Sequence, residues 1–425
     1  MTFEIPIGAP SGTGQRWAAP LDAQLTGTAK FAVWASVIST LFLSQIALNI
    51  GAFPASTELI CYALFAVYLL VSGYASLSFA SLTLFLTAAT LACFRMVLSD
   101  STTTSWTSLL LLLALYSPFS FHLKKQEDLQ AVQRYIQYAF ISAATVIAVI
   151  ATAQIILVNV GISFFKNIYF ILPEAIRGAG VYTFTREGGG IVKANGFFLR
   201  ESADLSIVTG LALMIEYYTR KRLRVLGILG AGFVCSFSGS GIFAIVAGFL
   251  LPRSISRIPM VFAAALGLTV GLFLLYNLEI PGLAIWFDRL SEFTTPNTSA
   301  YARFVAPLEM VQRSFDNGLD TTWLGNGGGT LLRDIQVLKL KYEINDPTWA
   351  KLIYEYGLLG FSLFLSIFLI RIYSSSQRVE ICNFLLFSWM SFGLVLKPSF
   401  VLIVWLLTLA PQMHRRAAVK KPNFR

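Results

Sequence analysis

The chain has 425 residues, 56% of them hydrophobic and 13% charged, and a net charge of +10 at neutral pH. A soluble domain carries about 25% charged residues, so this composition excludes an ordinary soluble enzyme. The Lys and Arg residues lie in short connections between apolar blocks rather than in one patch, which argues against a nucleic-acid partner and for a membrane protein.

Residues 1–30 are polar, contain Pro6, Pro10 and Pro20, and lack the early apolar run of a signal peptide. They read as a short cytoplasmic tail. From there to residue 413, apolar blocks recur that match a hydrocarbon core about 30 Å thick. Backbone polar groups in a bilayer must be paired internally, and these blocks are continuous rather than alternating, so they are predicted to be helices and not barrel strands. The predicted helices cover 31–50, 58–76, 79–98, 106–120, 136–160, 202–218, 224–236, 240–252, 259–279, 348–371, 381–396 and 399–413. The expected fold class is therefore all-α, a polytopic transmembrane helical bundle of about twelve helices over 31–413, followed by a basic tail over 414–425.

Basic residues fix the expected orientation. Lys124, Lys125 and Arg134 lie in one connection, and Arg220, Lys221, Arg222 and Arg224 in another. Arg253 and Arg257, then Arg371 and Arg378, mark two more, and the tail carries Arg415, Arg416, Lys420, Lys421 and Arg425. All fall on the side of the N-terminus, which the positive-inside rule makes the cytoplasm. Two long segments, 161–201 and 280–347, are then expected outside, where long loops carry function. Cys61, Cys93, Cys235 and Cys382 lie in apolar segments without metal-ligand or disulfide spacing.

In the first outer segment, Val181 to Thr185 alternates and Gly188 to Gly190 turns the chain, predicting a small hairpin. Arg200 and Asp204 are four apart, a spacing that allows a pair on one helix face; interfacial anchoring by Phe and Arg is the plainer reading of this helix start. In the second, apolar positions from Tyr301 to Phe315 predict an amphipathic helix lying on the membrane, bounded by Arg303 and Arg313. Trp323 to Gly329 (WLGNGGG) reads either as an anion-binding nest or as a plain turn. Arg200, Arg303, Arg313 and Arg333 thus gather on a face where basic residues should be sparse. Arg grips phosphate with a two-pronged set of donors, so the cluster points to a phosphate-bearing lipid, with pairing to the loops' own acids as the alternative. Arg95 and Lys397 either snorkel or extend the same positive site. No Walker loop is present, and His122 and His414 are both predicted cytoplasmic.

Three separated stretches carry a family resemblance. Asn195 to Ser202 (NGFFLRES) resembles the "NGFF-x-E-P/S" helix start of Wzy-type O-antigen and exopolysaccharide polymerases and of O-antigen ligases. Ser236 to Gly241 (SFSGSG) is similar to their "T-x-S-R-x-G" turn, with Ser240 where Arg is common. Arg303, Trp323 to Gly329 and Lys351 to Gly360 (KLIYEYGLLG) look like their "R … G-x-G … N-x-x-L-x-x-x-x-E-x-G-x-x-G" region. Ligases usually carry His before the last motif; this chain has Asn345-Asp346-Pro347 there, which favours a polymerase.

The resemblance implies a membrane glycosyltransferase that needs no metal or cofactor. It would move a growing glycan from undecaprenyl diphosphate onto a new lipid-linked oligosaccharide repeat, beside membrane lipid, a flippase and a chain-length regulator. Arg200 and Arg303 are expected on the carrier diphosphate, with Arg313 and Arg333 as weaker candidates. Without an outer His, the base is expected to be a carboxylate, Asp346 first and Glu201 second. Asp346 also reads as a plain helix cap, and the deeper Glu355 as a structural partner of Lys351. The alternatives are an O-antigen ligase acting on lipid A core or protein, and a non-enzymatic transporter of polysaccharide or its carrier.

Overall fold

Hydroxyl groups decide where several helices begin. The side chains of Thr26, Ser78, Ser105 and Ser238 accept from the amides of Ala29, Ser81, Ser108 and Ser240, each satisfying a donor that the first turn leaves open. In the computed structural model these caps introduce α1 (Gly27–Phe42), α3 (Phe79–Leu98), α4 (Trp106–Tyr116) and α8 (Gly239–Leu250). The structure describes residues 26–50, 53–99, 102–124, 129–178, 192–251, 301–338 and 345–412, with scattered positions between 259 and 298. Apart from scattered positions, the predicted helix over 259–279, the hairpin at Val181 to Thr185 and both tails lie outside the described residues.

The other helices are α2 (Thr57–Val71), α5 (Leu129–Asn159), α6 (Ser202–Thr219), α7 (Leu223–Cys235), α9 (Ala306–Asp316), α10 (Leu319–Leu324), α11 (Thr330–Leu338), α12 (Thr348–Tyr373), α13 (Val379–Ser391) and α14 (Pro398–Leu407). Among the described residues the chain is a mostly helical bundle. Three helices, α3, α5 and α12, are long and apolar enough to cross a membrane by length and composition, and seven shorter apolar helices of 10–17 residues accompany them.

The helix expected over 31–50 stops at Phe42 for a tertiary reason. The Gln45 side chain donates to the carbonyls of Phe198 and Leu199 at 2.8 and 2.9 Å, which takes the chain off the helical path. The chain then pairs β1 (Ala47–Ile50) with β2 (Phe53–Ser56); a second small ladder joins β3 (Ala75–Leu77) to β4 (Phe121–Leu123). The helix expected from Tyr301 opens as a π turn, Tyr301–Val305, before α9. Pro307 has no amide to give the carbonyl of Arg303, so the turn before it widens.

α5 packs on α1, α6 and α7, α8 lies between α6 and α13, and α12 runs along α3, α10 and α13. Their shared core is aromatic. Phe368 stacks on Trp389 with ring centroids 4.4 Å apart, Trp389 donates to the Tyr116 hydroxyl at 2.5 Å, and Trp405 donates to the carbonyl of Pro118 at 2.9 Å. Each indole thus keeps its apolar body buried and its N–H paired.

Charge enters the helices more than the sequence led us to expect. Glu58, Glu216, Lys351, Glu355, Arg371 and Glu380 are all buried, and all but Glu355 sit in a first or last helical turn. Arg371, expected as a loop cation, closes α12 inside the bundle. Its guanidinium donates to Phe121 O, Thr408 Oγ1 and Trp405 O.

α12 is broken at Gly357, where φ is 68° and ψ −176°. The carbonyls of Tyr354 and Glu355, which the break deprives of helical partners, accept instead from the amides of Asn326 and Gly327 at 2.9 Å each. Asn326 Nδ2 adds a second bond to Tyr354 O at 3.0 Å.

Candidate functional site

Four helix starts meet around one polar cavity of about 170 Å³. Glu201 and Asp204 stand at the start of α6, Ser240 at α8, Asn345 to Pro347 at α12, and Lys397 at α14. Arg303 reaches in from the π turn, and the end of α13, Ser391 to Gly393, closes the wall. Helix N-termini carry partial positive charge, which favours an anion, though at α8 the Ser240 and Gly241 amides are already taken by Ser238 Oγ and Ser206 Oγ. Arg303 and Lys397 add two positive charges, set against the carboxylates of Glu201, Asp204 and Asp346 on the same wall, with Lys397 paired to Asp204.

Each element holds its residue for a local reason. The backbone amide of Asn345 donates to Ala302 O at 2.9 Å, which ties the approach to α12 to the turn carrying Arg303. Tyr301, at the head of that turn, donates to Glu309 Oε1 at 2.9 Å, and this bond pushes the Tyr301 hydroxyl's pKa up. Arg303 Nη1 lies 3.4 Å from Ser240 Oγ. Gly393 has φ 64°, and a Cβ there would stand 2.8 Å from Asp346 O, so this close approach requires glycine twice over.

The carboxylates differ. Glu201 is exposed at the N-cap of α6 and makes no capping bond. Asp346 is one residue outside the N-cap, which is Pro347, so it is not the cap considered from the sequence. Its Oδ2 accepts from Lys351 Nζ at 3.0 Å, and Oδ1 has no hydrogen bond among the described residues. Lys351 in turn lies 3.6 Å from Glu355 Oε1, which is the pairing expected at that spacing.

Arg200 does not pair with Asp204 as its spacing suggested. Asp204 binds Lys397, and Arg200 donates to Ser44 O at 3.2 Å. Arg200 faces a narrow crevice of about 30 Å³ that shares Asp204, Ile207, Leu394 and Lys397 with the polar cavity. The rest of the crevice mixes Leu41, Val208, Phe400 and Ile403 with Thr40, Ser44 and Ser399.

Arg313 and Arg333 are not brought to the cavity. Arg313 is exposed on α9, and Arg333 donates to Thr103 O and Gly329 O at 3.1 and 3.2 Å. The loop from Trp323 to Gly329 turns its amides inward onto α12, and Gly329 N approaches the Glu355 carboxyl group. Its amides at Asn326 and Gly327 cap the broken α12, and Gly328 N faces Met96 Sδ. The pairing of Asp204 with Lys397 had no sequence signal; the two are 193 positions apart and meet only through packing.

No protein-family model matches this sequence, and no curated protein matches it. The functional reading therefore rests on the residues themselves.

Proposed function

We propose that this chain is a polysaccharide polymerase. It transfers a growing glycan from a polyprenyl diphosphate carrier, of the undecaprenyl type, onto a new lipid-linked oligosaccharide repeat. The reaction takes place at the periplasmic face of a bacterial inner membrane that the chain crosses about twelve times. The observation that carries this reading is the cavity itself, where Arg303 and Lys397 share one space with Glu201 and Asp346 at four helix starts. Such a site offers both things the transfer needs.

In the transfer, an acceptor sugar hydroxyl forms a bond to the anomeric carbon of the donor glycan. The bond from that carbon to the diphosphate oxygen breaks, and its electron pair leaves on the diphosphate. Arg303, Lys397 and the helix starts stabilise that developing charge. The hydroxyl proton passes to a carboxylate, Asp346 or Glu201. The family resembled often carries Arg where this chain has Ser240, and here Arg303 stands against Ser240 Oγ, returning a positive charge to the same turn.

One observation favours a transporter instead: α12 is discontinuous and holds Lys351 and Glu355 buried beside the break, as transport helices do. Against it, Asn326 and Gly327 already occupy the carbonyls freed at the break, which leaves them closed to a passing ion. The test is turnover by the purified full chain in nanodiscs with defined lipid-linked repeats. Polymer formed there supports the proposal. Its absence, with lipid-linked repeats crossing the membrane of sealed proteoliposomes made from the same purified protein, would favour transport.

A further inference from the structure

The strongest unexplained feature beside the cavity is a chain of three ionisable groups that runs from its wall into the bundle. Lys351 is 5% exposed and lies between two carboxylates. On one side it holds Asp346 Oδ2 at 3.0 Å, where Asp346 is 31% exposed at the cavity wall. On the other it lies 3.6 Å from Glu355, which is 1% exposed and whose carboxyl group is approached by the backbone amides of Gly329 and Leu331. Burying an ion pair this deeply costs desolvation that the pairing does not fully return. Packing alone would favour an apolar residue at this position.

We propose that Lys351 and Glu355 are positioning residues for the proton-accepting carboxylate, holding Asp346 with Oδ1 turned to the acceptor hydroxyl. This rests on the polymerase reading and adds to it the choice of Asp346 over Glu201. Glu201 is exposed and carries no ion pair among the described residues, so nothing fixes its carboxylate. Asp346 is fixed at every level. Its backbone is wedged against Gly393, its neighbour Asn345 is bonded to Ala302, and one of its two oxygens is taken by Lys351. The oxygen left over is the one that can take a proton. A base held in one rotamer avoids the reorganisation that a mobile side chain needs at each turnover.

Glu355 secures the other end. The Lys351 side chain is long and loses rotamer freedom when fixed, so a second carboxylate beneath it keeps it from turning away from Asp346. The turn that bears Glu355 is in turn clamped by Asn326 and Gly327, which bond the carbonyls of Tyr354 and Glu355. The Gly-rich loop thereby sets the height of Lys351 relative to the cavity, a role its composition alone does not disclose.

The test uses the full-length protein in nanodiscs with lipid-linked repeats as donor and acceptor. Lys351→Met alone leaves the buried Glu355 and the half-exposed Asp346 without their counter-charge and endangers folding, so the decisive variant is Lys351→Met with Glu355→Leu, which removes the buried pair together. The expected result is a monodisperse protein whose kcat falls roughly ten- to a hundredfold while the donor KM stays within about twofold, because the diphosphate site is untouched. Adding Asp346→Asn to that double variant should lower kcat no more than about twofold further, since the base is already misplaced. A double variant with wild-type kcat would overturn the positioning role. So would a further large loss on adding Asp346→Asn, which would show Asp346 working without Lys351. Failure of the wild-type protein to elongate glycan would instead overturn the polymerase reading itself, and binding of undecaprenyl diphosphate measured in the same nanodiscs separates a dead site from an empty one.

Discussion

A Cβ on Gly357 would stand 2.2 Å from the carbonyl oxygen of Trp323. The loop from Trp323 to Gly329 and the break in α12 therefore fit only because residue 357 has no side chain, and its φ of 68° is one that other residues adopt at a cost. Gly357→Ala should lose about 1–3 kcal/mol to backbone strain and more to the displaced loop. The melting midpoint in detergent should drop and polymer should disappear. Gly230→Ala is the control: a Cβ there meets nothing within 4 Å, and α7 should tolerate or slightly favour it. Equal melting of the two variants would mean that the loop does not clasp the break.

Arg303 and the pair Arg313 and Arg333 should separate cleanly. Arg303→Ala removes a cation from the cavity wall and should lower polymer yield at least about tenfold at unchanged protein level. Arg303→Lys should recover only part, because a point charge lacks the two-pronged geometry. Arg313→Ala, at an exposed site, should be silent. Arg333→Ala gives up two bonds to backbone carbonyls and should cost about 1 kcal/mol of stability with normal polymer. Glycan laddering on gels reads all four, and a lost ladder in the Arg313 variant would move the anion site away from the cavity.

Lys397 serves two partners in this account, Asp204 now and the diphosphate during turnover. The paired side chains are 21% and 13% exposed, so removing one should cost roughly 1–3 kcal/mol, less than for a fully buried pair. Lys397→Ala should therefore both destabilise the protein and weaken donor binding. Adding Asp204→Ala should restore the stability and leave the donor binding weak. Recovery of both together would make Lys397 a structural residue only.

Orientation is open to direct labelling. With the four native cysteines replaced, Asn317→Cys should react with an impermeant maleimide in intact cells, and Gln377→Cys should react only after lysis. The reverse pattern would turn the bundle over and place the cavity in the cytoplasm.

The apolar blocks made α2, α3 and α5 to α8 readable to within several residues, because burial in a bundle or bilayer leaves a continuous hydrophobic signal. The end of α1 at Phe42 was not readable, since it depends on Gln45 meeting the carbonyls of Phe198 and Leu199 from far along the chain. At the site, Arg303, Glu201 and Asp346 were legible from residue type and position at helix starts. Arg313 and Arg333 share their chemistry but face elsewhere, and charge type says nothing about direction. Lys351 was visible only as a partner of Glu355. Its bond to Asp346 depends on how the chain enters α12, which Pro347 and the contact with Gly393 determine together.

The convergence of α6, α8, α12 and α14 has a pharmacological side. Each helix start contributes about half an elementary charge that belongs to the peptide groups, so no side-chain substitution removes it. Resistance by mutation of a single cation would leave most of that field standing. A compact bisphosphonate has two anionic centres and would fit a space of about 170 Å³. It should compete with the lipid-linked donor while resembling neither the sugar nor the lipid.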